Sequence, residues 1–89
     1  MIRSTITISN KLGLHARASA KLTKLAGTFQ CEVHMTRNGR RINAKSIMGV
    51  MMLAAGMGTE VEIETDGVDE QAASEALRKL IDDKFGEGH

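Results

Sequence analysis

The spacing of apolar residues along the chain alternates between the two-residue period of a strand and the longer period of a helix. Period-two segments begin near Ile2, Cys31, Arg40 and Glu60. Helix-period segments follow the first, third and fourth of them, so the order is strand, helix, strand, strand, helix, strand, helix. This order predicts an α+β fold in which a four-stranded antiparallel sheet carries three helices on one face.

Each predicted element has one apolar face that defines the expected core. In the last strand, Val61 and Ile63 share one face, while the other face consists of Glu60, Glu62 and Glu64. The same pattern at helical spacing predicts the buried stripe of the last helix: Ala73, Leu77, Leu80, Ile81 and Lys84.

Local turn and cap residues place the ends of several elements. Asn38-Gly39 is a strong hairpin signal between the second and third strands. Ser46 and Asp69 are suitable N-caps for the second and third helices. The tail from Gly86 to His89 has no periodic pattern, and we expect it to fray.

Chain size and composition limit the possible classes of protein. A chain of 89 residues has room for one core, and we predict a single domain over residues 1–89. The chain has no apolar run long enough to cross a bilayer, and its first residues lack a secretory signal pattern. The single Cys31 alternates with apolar neighbours and is expected to be buried in a strand. We therefore expect a cytoplasmic protein that does not insert into membranes.

Charges of opposite sign separate along the chain although the formal net charge is only +1. Nine basic residues and one acidic residue precede Ser46, whereas ten acidic and three basic residues follow Thr59. This asymmetry indicates a negatively charged partner for the first half of the chain. An acidic protein, a phosphate or a nucleic acid would each be such a partner.

His15 lies directly before the first predicted helix, at or next to its N-cap. A helix start presents unpaired N–H groups and a partial positive charge, which disfavour a cationic imidazole and attract an anion. A neutral ring nitrogen could then act as a nucleophile, with Arg17 as a charge-assisted donor to a phosphoryl group. Gly13 would allow the backbone to approach a ligand or partner closely. An ordinary capping or solvent-exposed histidine is the alternative interpretation.

The second predicted helix is apolar on almost every side, so it cannot bury all of its surface. Its methionines either fill an irregular core or form an exposed, adaptable patch for another protein. The residues concerned are Ile47, Met48, Val50, Met51, Met52 and Ala54.

The motifs GLHAR, AKSIMGVM and TDG, at their spacing in this chain, resemble the histidine-containing phosphocarrier family HPr of the bacterial phosphotransferase system. The resemblance covers essentially the whole chain and implies an open-faced β-sandwich. It implies that His15 receives a phosphoryl group on Nδ1 from phosphorylated enzyme I and passes it to EIIA-type domains of sugar permeases or to regulators. Ala18 departs from the proline common in the family, which is expected to lower local rigidity without preventing helix formation.

The resemblance also implies roles for further residues. Arg17 corresponds to the phosphate-stabilising arginine, and Ser46 corresponds to the serine that a dedicated kinase, the HPr kinase/phosphorylase, modifies in many members. Independently of the resemblance, Lys21 and Lys24 share a helix stripe with Arg17 and are expected to guide acidic partners. The residues that match the family's docking surface are Ile47, Met48 and Met51. The expected protein is a monomeric carrier that is phosphorylated as an intermediate, and not an enzyme with its own turnover.

Two alternative functions stay open. Carriers of the nitrogen-related regulatory branch (NPr-like) share the motifs. A nucleic-acid-binding module is conceivable from the basic residues around the hairpin, but only Phe29 and Phe85 could stack on bases. Those basic residues are Arg37, Arg40, Arg41 and Lys45, which we interpret as solvated charges.

No cofactor or metal is expected. His34 lies on the outer face of a predicted strand and His89 lies in the tail, and neither has a second ligand at metal-binding spacing. The chain also lacks the GxxxxGK[ST] loop that would hold a nucleotide.

Overall fold

Four strands form one antiparallel sheet in the computed structural model, which describes residues 1–87. The strands lie side by side in the order β1-β4-β2-β3, so the last strand of the chain is inserted between the first and the second. This confirms the predicted antiparallel four-stranded sheet. The strand bounds are β1 Ile2–Thr7, β2 Glu32–Arg37, β3 Arg40–Asn43 and β4 Glu60–Asp66.

Three α-helices complete the predicted order of elements, and a short 3-10 turn, which was not predicted, follows the last helix. Their bounds are α1 Ala16–Gly27, α2 Ile47–Met52, α3 Glu70–Asp82 and the 3-10 turn Lys84–Gly86. Ala73, Leu77 and Ile81 of the predicted stripe are buried in α3, and they join α1 and the inner sheet face in one apolar cluster. Leu80 is only partly buried, and Lys84 lies beyond the end of the helix. The second face of the sheet stays open, which confirms the open-faced β-sandwich. None of the helices in residues 1–87 is long and apolar enough to cross a membrane.

The hairpin between β2 and β3 turns at Asn38 and Gly39, as predicted. Both residues have positive φ angles, of 51° and 79°, which is the backbone geometry that closes a two-residue hairpin without opposing strand twist. Arg37 therefore pairs with Arg40 at the end of the ladder. The turn fixes the register, so Met35 and Ile42 face the core together.

Glu64 lies on the outer sheet face, as predicted, but it is buried there. Its two carboxylate oxygens accept hydrogen bonds of 3.3 Å from Nε and Nη2 of Arg41, and Nε of Arg3 lies 4.0 Å away. The Arg41 hydrogen bonds hold the pKa of the Glu64 carboxyl below its usual value. Two arginine side chains lie against the carboxylate. The period-two pattern therefore predicted the face of Glu64 correctly and missed its burial.

Asp69 occupies the N-cap position of α3, but its carboxylate binds a different part of the chain. Its two oxygens accept hydrogen bonds of 2.8 Å from the backbone N–H groups of Gln30 and Cys31. Within residues 1–87 the side chain caps no N–H of its own helix, so the predicted local cap is wrong. Asp69 instead ties the start of α3 to the loop before β2, and the Gln30 N–H is the main reason that its pKa is lowered.

The end of the chain packs against the core through Phe85. This side chain is buried, and it sits in a turn where both Lys84 and Phe85 have left-handed φ angles of 54° and 55°. Nζ of Lys21 donates a 2.7 Å hydrogen bond to the carbonyl oxygen of Phe85. The predicted fraying of the tail is therefore wrong for Gly86 and Glu87. The rest of the predicted tail, which includes His89, lies outside the described residues.

We predict that Asp69→Ala lowers the free energy of unfolding at pH 7 and makes that free energy change less as the pH falls. The folded pKa of Asp69 lies below the unfolded value of about 3.9, so its stabilising contribution is complete above that pH. The contribution is lost as the pH falls through the folded pKa, and the alanine variant lacks this loss. Urea unfolding between pH 7 and pH 2 measures it. Asp82→Ala, at the exposed other end of α3, should keep the wild-type pH dependence, and a wild-type pH dependence in Asp69→Ala would contradict the prediction.

Candidate functional site

His15 is the N-cap residue of α1, as predicted. Its backbone is extended, with φ −73° and ψ 179°, and its carbonyl oxygen accepts the first helical hydrogen bond from Ser19 at 2.8 Å. The hydroxyl of Ser19 also donates to the carbonyl oxygen of Leu14 at 3.1 Å. Within residues 1–87 the His15 ring caps no N–H of α1, so the helix start keeps its donors for another acceptor.

Gly13 brings the loop before His15 into contact with the segment that follows α2. Its φ is +67°, and a Cβ atom there would lie 2.5 Å from the carbonyl oxygen of Ala55 and 2.7 Å from Cα of Gly56. The next residue, Leu14, donates its N–H to the same Ala55 oxygen at 2.9 Å. The close approach predicted for Gly13 is therefore made to the protein's own backbone, and it fixes the position from which His15 projects.

The His15 ring makes a contact that the sequence did not predict. Its Nε2 lies 2.6 Å from Oε2 of Glu87, and the two side chains are 27% and 8% exposed. An ionised carboxylate only accepts hydrogen bonds, so beside an ionised Glu87 the proton of this contact lies on Nε2. A neutral His15 ring therefore has its lone pair on Nδ1. Glu87 is 72 residues away in the chain, and the one hint in the sequence is Phe85, which follows Ile81 at helical spacing.

A surface cleft joins the start of α1 to the turn at the end of the chain. It is lined by His15, the exposed Arg17 and Lys21, so two cations lie beside the first two turns of the helix. Such an arrangement suits an anion such as a phosphoryl group. Lys24 is exposed on the same helix but does not line the cleft. The lining residues are Leu12, His15, Ala16, Arg17, Lys21, Gly86 and Glu87.

Ser46 caps α2, as predicted from its position. Its Oγ accepts a hydrogen bond of 3.1 Å from the N–H of Gly49, and its carbonyl oxygen accepts from Val50 at 3.0 Å. Ser46 is a partly exposed residue, and it stands directly before the exposed residues of the helix. Ser46 thus has the geometry of a cap and is not enclosed in the core.

The short helix α2 exposes most of its apolar side chains. Val50 alone is buried among its six residues, and the next buried side chain is Leu53. The alternative in which the methionines fill the core is therefore wrong for this helix. Ala54, which was included in the predicted helix, lies beyond its observed end at Met52, is exposed and has a φ of 51°. The exposed fractions of the predicted docking residues are 44% for Ile47, 69% for Met48 and 39% for Met51.

The arginines of the hairpin bind the protein itself. Nη1 of Arg37 donates to the carbonyl oxygen of Leu53 at 2.7 Å, and Nη1 of Arg40 donates to that of Met52 at 3.1 Å. These bonds satisfy carbonyl groups at the end of α2, so the arginines have an intramolecular role that the interpretation as solvated charges missed.

The other histidine with described surroundings shows no sign of a metal site. His34 lies on the outer sheet face, opposite Asn43 on one side and Glu64 on the other. Residues 1–87 contain no group of three or more His, Cys, Asp or Glu side chains placed to hold a metal ion.

Comparisons with known proteins agree over nearly the whole chain. A family model described as "PTS HPr component phosphorylation site" matches residues 2–83. A phosphocarrier protein HPr from Cupriavidus necator is 66% identical over 88 residues, which cover 99% of both chains. The crystal structure of HPr-C-His from Thermoanaerobacter tengcongensis matches with a TM-score of 0.95 at 42% identity, over 98% of both chains. An HPr dimer structure from the same organism matches with a TM-score of 0.79 at 42% identity, over 98% of this chain and 100% of that chain.

We predict that Gly13→Ala destabilises the protein by about 2–3 kcal/mol. The new methyl group would be forced against the Ala55 carbonyl, and alanine also disfavours the positive φ at this position. Urea unfolding measures the loss. Gly27→Ala is the matched control because a Cβ atom at that position would meet no neighbouring part of the protein within 4 Å, and it should leave stability unchanged or slightly higher. Equal stabilities of the two variants would show that the loop before His15 is not tightly packed.

Proposed function

The chain belongs to the HPr family of phosphocarrier proteins of the phosphotransferase system, and from this premise we propose that His15 is its phosphoryl acceptor. Phosphorylated enzyme I is the donor, and EIIA-type domains of sugar permeases or related regulators are the acceptors. The observation that carries the proposal is the 2.6 Å contact between Nε2 of His15 and Glu87, because it leaves Nδ1 as the nucleophilic nitrogen.

The transfer needs one bond to form and one to break. The lone pair on Nδ1 of His15 attacks the phosphorus atom, and the bond between phosphorus and the donor breaks with its electron pair staying on the donor. The proton on Nε2 remains in place, so no separate acid or base is required, and the protein supplies mainly position and charge. In this scheme the N–H groups at the start of α1 and the Arg17 guanidinium stabilise the phosphoryl oxygens.

The Glu87 carboxylate destabilises the phosphorylated state of His15 and so favours release of the phosphoryl group. A phosphoryl group on His15 carries nearly two negative charges at neutral pH, and the Glu87 carboxylate lies on the other side of the same ring. The like charges repel each other in a partly buried cleft, where screening by water is weaker. This repulsion opposes the attraction of Arg17, so the phosphorylated state stays easy to discharge to the next protein.

The partner surface in this proposal combines a positive stripe with an apolar patch. Arg17, Lys21 and Lys24 are exposed on α1, and α2 lies beside that helix with its own exposed side chains. Positive charge would guide acidic partners during approach, and the apolar patch would provide the buried contact. The patch residues are Ile47, Met48 and Met51. The two branches of the family are distinguished by comparing the rate of phosphoryl transfer to sugar-permease EIIA domains with the rate of transfer to nitrogen-related EIIA domains.

We predict that His15→Ala abolishes phosphoryl acceptance while the protein remains folded. The substitution removes the only proposed acceptor atom, and the partly exposed ring contributes little to the apolar core. The measurement is incubation with enzyme I and phosphoenolpyruvate, followed by mass spectrometry for an acid-labile phosphate. His34→Ala, on the outer sheet face, is the matched control and should accept phosphate at the wild-type rate. Acid-labile phosphate on the His15→Ala protein would refute the assignment.

Ser46 is proposed as a regulatory phosphorylation site for an HPr kinase/phosphorylase. A phosphate on its Oγ would sit at a helix N-terminus, where negative charge is tolerated. It would also stand beside the apolar patch of α2, where a docking partner must remove its water and an acidic partner is repelled. Phosphorylation is therefore expected to weaken docking without unfolding the protein.

We predict that Ser46→Asp slows phosphorylation of His15 by enzyme I about tenfold, which corresponds to about 1.4 kcal/mol of lost partner binding. Thermal stability should be unchanged within about 1 kcal/mol because aspartate also caps a helix. Ser46→Asn is the control, since it caps without adding charge and should react at the wild-type rate. If the Asp and Asn variants react equally fast, the charge at position 46 does not control docking.

A further inference from the structure

Asn10 is a buried polar residue next to the His15 cleft, and it bonds to two separate parts of the chain. Its Nδ2 donates to the carbonyl oxygen of Gly13 at 2.8 Å and to Oε1 of Glu87 at 3.0 Å. Both partners are acceptors, so the amide orientation is fixed with the NH₂ group towards them. The opposite atom, Oδ1, accepts no hydrogen bond from residues 1–87. The side chain is 0% exposed, which leaves it little freedom to turn away.

The Glu87 carboxylate connects Asn10 to the His15 ring. One oxygen accepts from Asn10, and the other lies 2.6 Å from Nε2 of His15. A hydrogen bond to the second oxygen restricts rotation of the carboxylate and so helps to orient the oxygen that faces the imidazole. The Asn10 amide therefore contacts the Glu87 carboxylate, and the carboxylate contacts the His15 ring. Asn10 can orient the ring in this way without touching it.

The same amide joins the loop before His15 to the turn at the end of the chain. Gly13 donates its N–H to the Asn10 carbonyl at 3.2 Å and accepts from the Asn10 side chain, so the loop closes on Asn10 twice. On the other side, the turn that carries Glu87 is held by Lys21 and by the buried Phe85. Asn10 is thus the point where the position of the ring and the position of its carboxylate partner are set together.

We propose that Asn10 is a positioning residue for His15, which acts through Glu87 to keep the proton on Nε2 and to leave Nδ1 available as the nucleophile. This inference rests on the proposed function of His15 as phosphoryl acceptor. Without the amide, Oε1 of Glu87 loses the Asn10 hydrogen bond, and the acceptor that faces the ring is less firmly oriented. Phosphoryl transfer then becomes slower because the nucleophile is aligned in a smaller fraction of encounters.

The test is a double-mutant cycle on Asn10→Ala and Glu87→Ala with two readouts. The first is the nitrogen-15 spectrum of the His15 ring, in which a hydrogen-bonded Nε2–H is visible and slow to exchange. The second is the rate of phosphorylation by enzyme I and phosphoenolpyruvate. We expect each single variant to lose the Nε2–H signal and to react about tenfold more slowly. The double variant should be no slower than Glu87→Ala, because Asn10 has then lost the group through which it acts.

Matched variants separate positioning from general support of the loop. Ser9→Ala removes a 2.9 Å hydrogen bond to the Ile81 carbonyl but leaves the Asn10 contacts, and it should keep the wild-type ring signal. If Asn10→Ala does not fold, Asn10→Ser serves instead, because its hydroxyl is too short to reach Glu87. A wild-type ring signal in the folded Asn10 variant, or rate losses that multiply in the double variant, would overturn the proposal. The ring signal needs no phosphoryl donor, so a wild-type protein that accepts no phosphate would refute the proposed function and leave this test valid.

Discussion

The packing of Gly13 against the backbone of Ala55 and Gly56 is the constraint on which the geometry of the site depends. Only glycine leaves room for this contact, and the neighbouring Leu14 N–H bonds to the same Ala55 carbonyl. The loop is therefore held by the main chain, whose position does not depend on side-chain rotamers. His15 begins α1 at a fixed point, and an anion that approaches Nδ1 meets helix N–H groups whose direction is already set.

The turn that carries Glu87 is held less firmly than the loop. Two left-handed residues, Lys84 and Phe85, cost about 1–2 kcal/mol each. Burial of the Phe85 side chain returns about 1.5–3 kcal/mol, and the Lys21 hydrogen bond adds about 0.5–1.5 kcal/mol. These contributions nearly cancel, so the turn is marginally stable. The hydrogen bonds of the Glu87 carboxylate with Asn10 and His15 therefore give this turn support that it needs.

The sequence predicted the elements that depend on local patterns and missed the contacts between distant ones. The hairpin at Asn38-Gly39 and the Ser46 cap were predicted because their partners lie within a few residues. Asp69 was assigned a local cap, but its carboxylate binds the loop before β2, and burial of Glu64 depends on arginines from other strands. His15 was found through its position before a helix and through family motifs. Its partner Glu87 was not, because no local period links residues 72 positions apart.

The two ends of α2 have different physical environments, which separates regulation at Ser46 from the chemistry at His15. The N-terminal end is capped by Ser46 itself and can accept added negative charge. At the other end, Ala54 takes a left-handed conformation, and Arg37 donates to the carbonyl groups of Leu53 and Ala54. The Ala55 carbonyl just beyond that braced end holds the loop before His15. A phosphate on Ser46 therefore acts where a partner docks and leaves the support of the His15 loop in place.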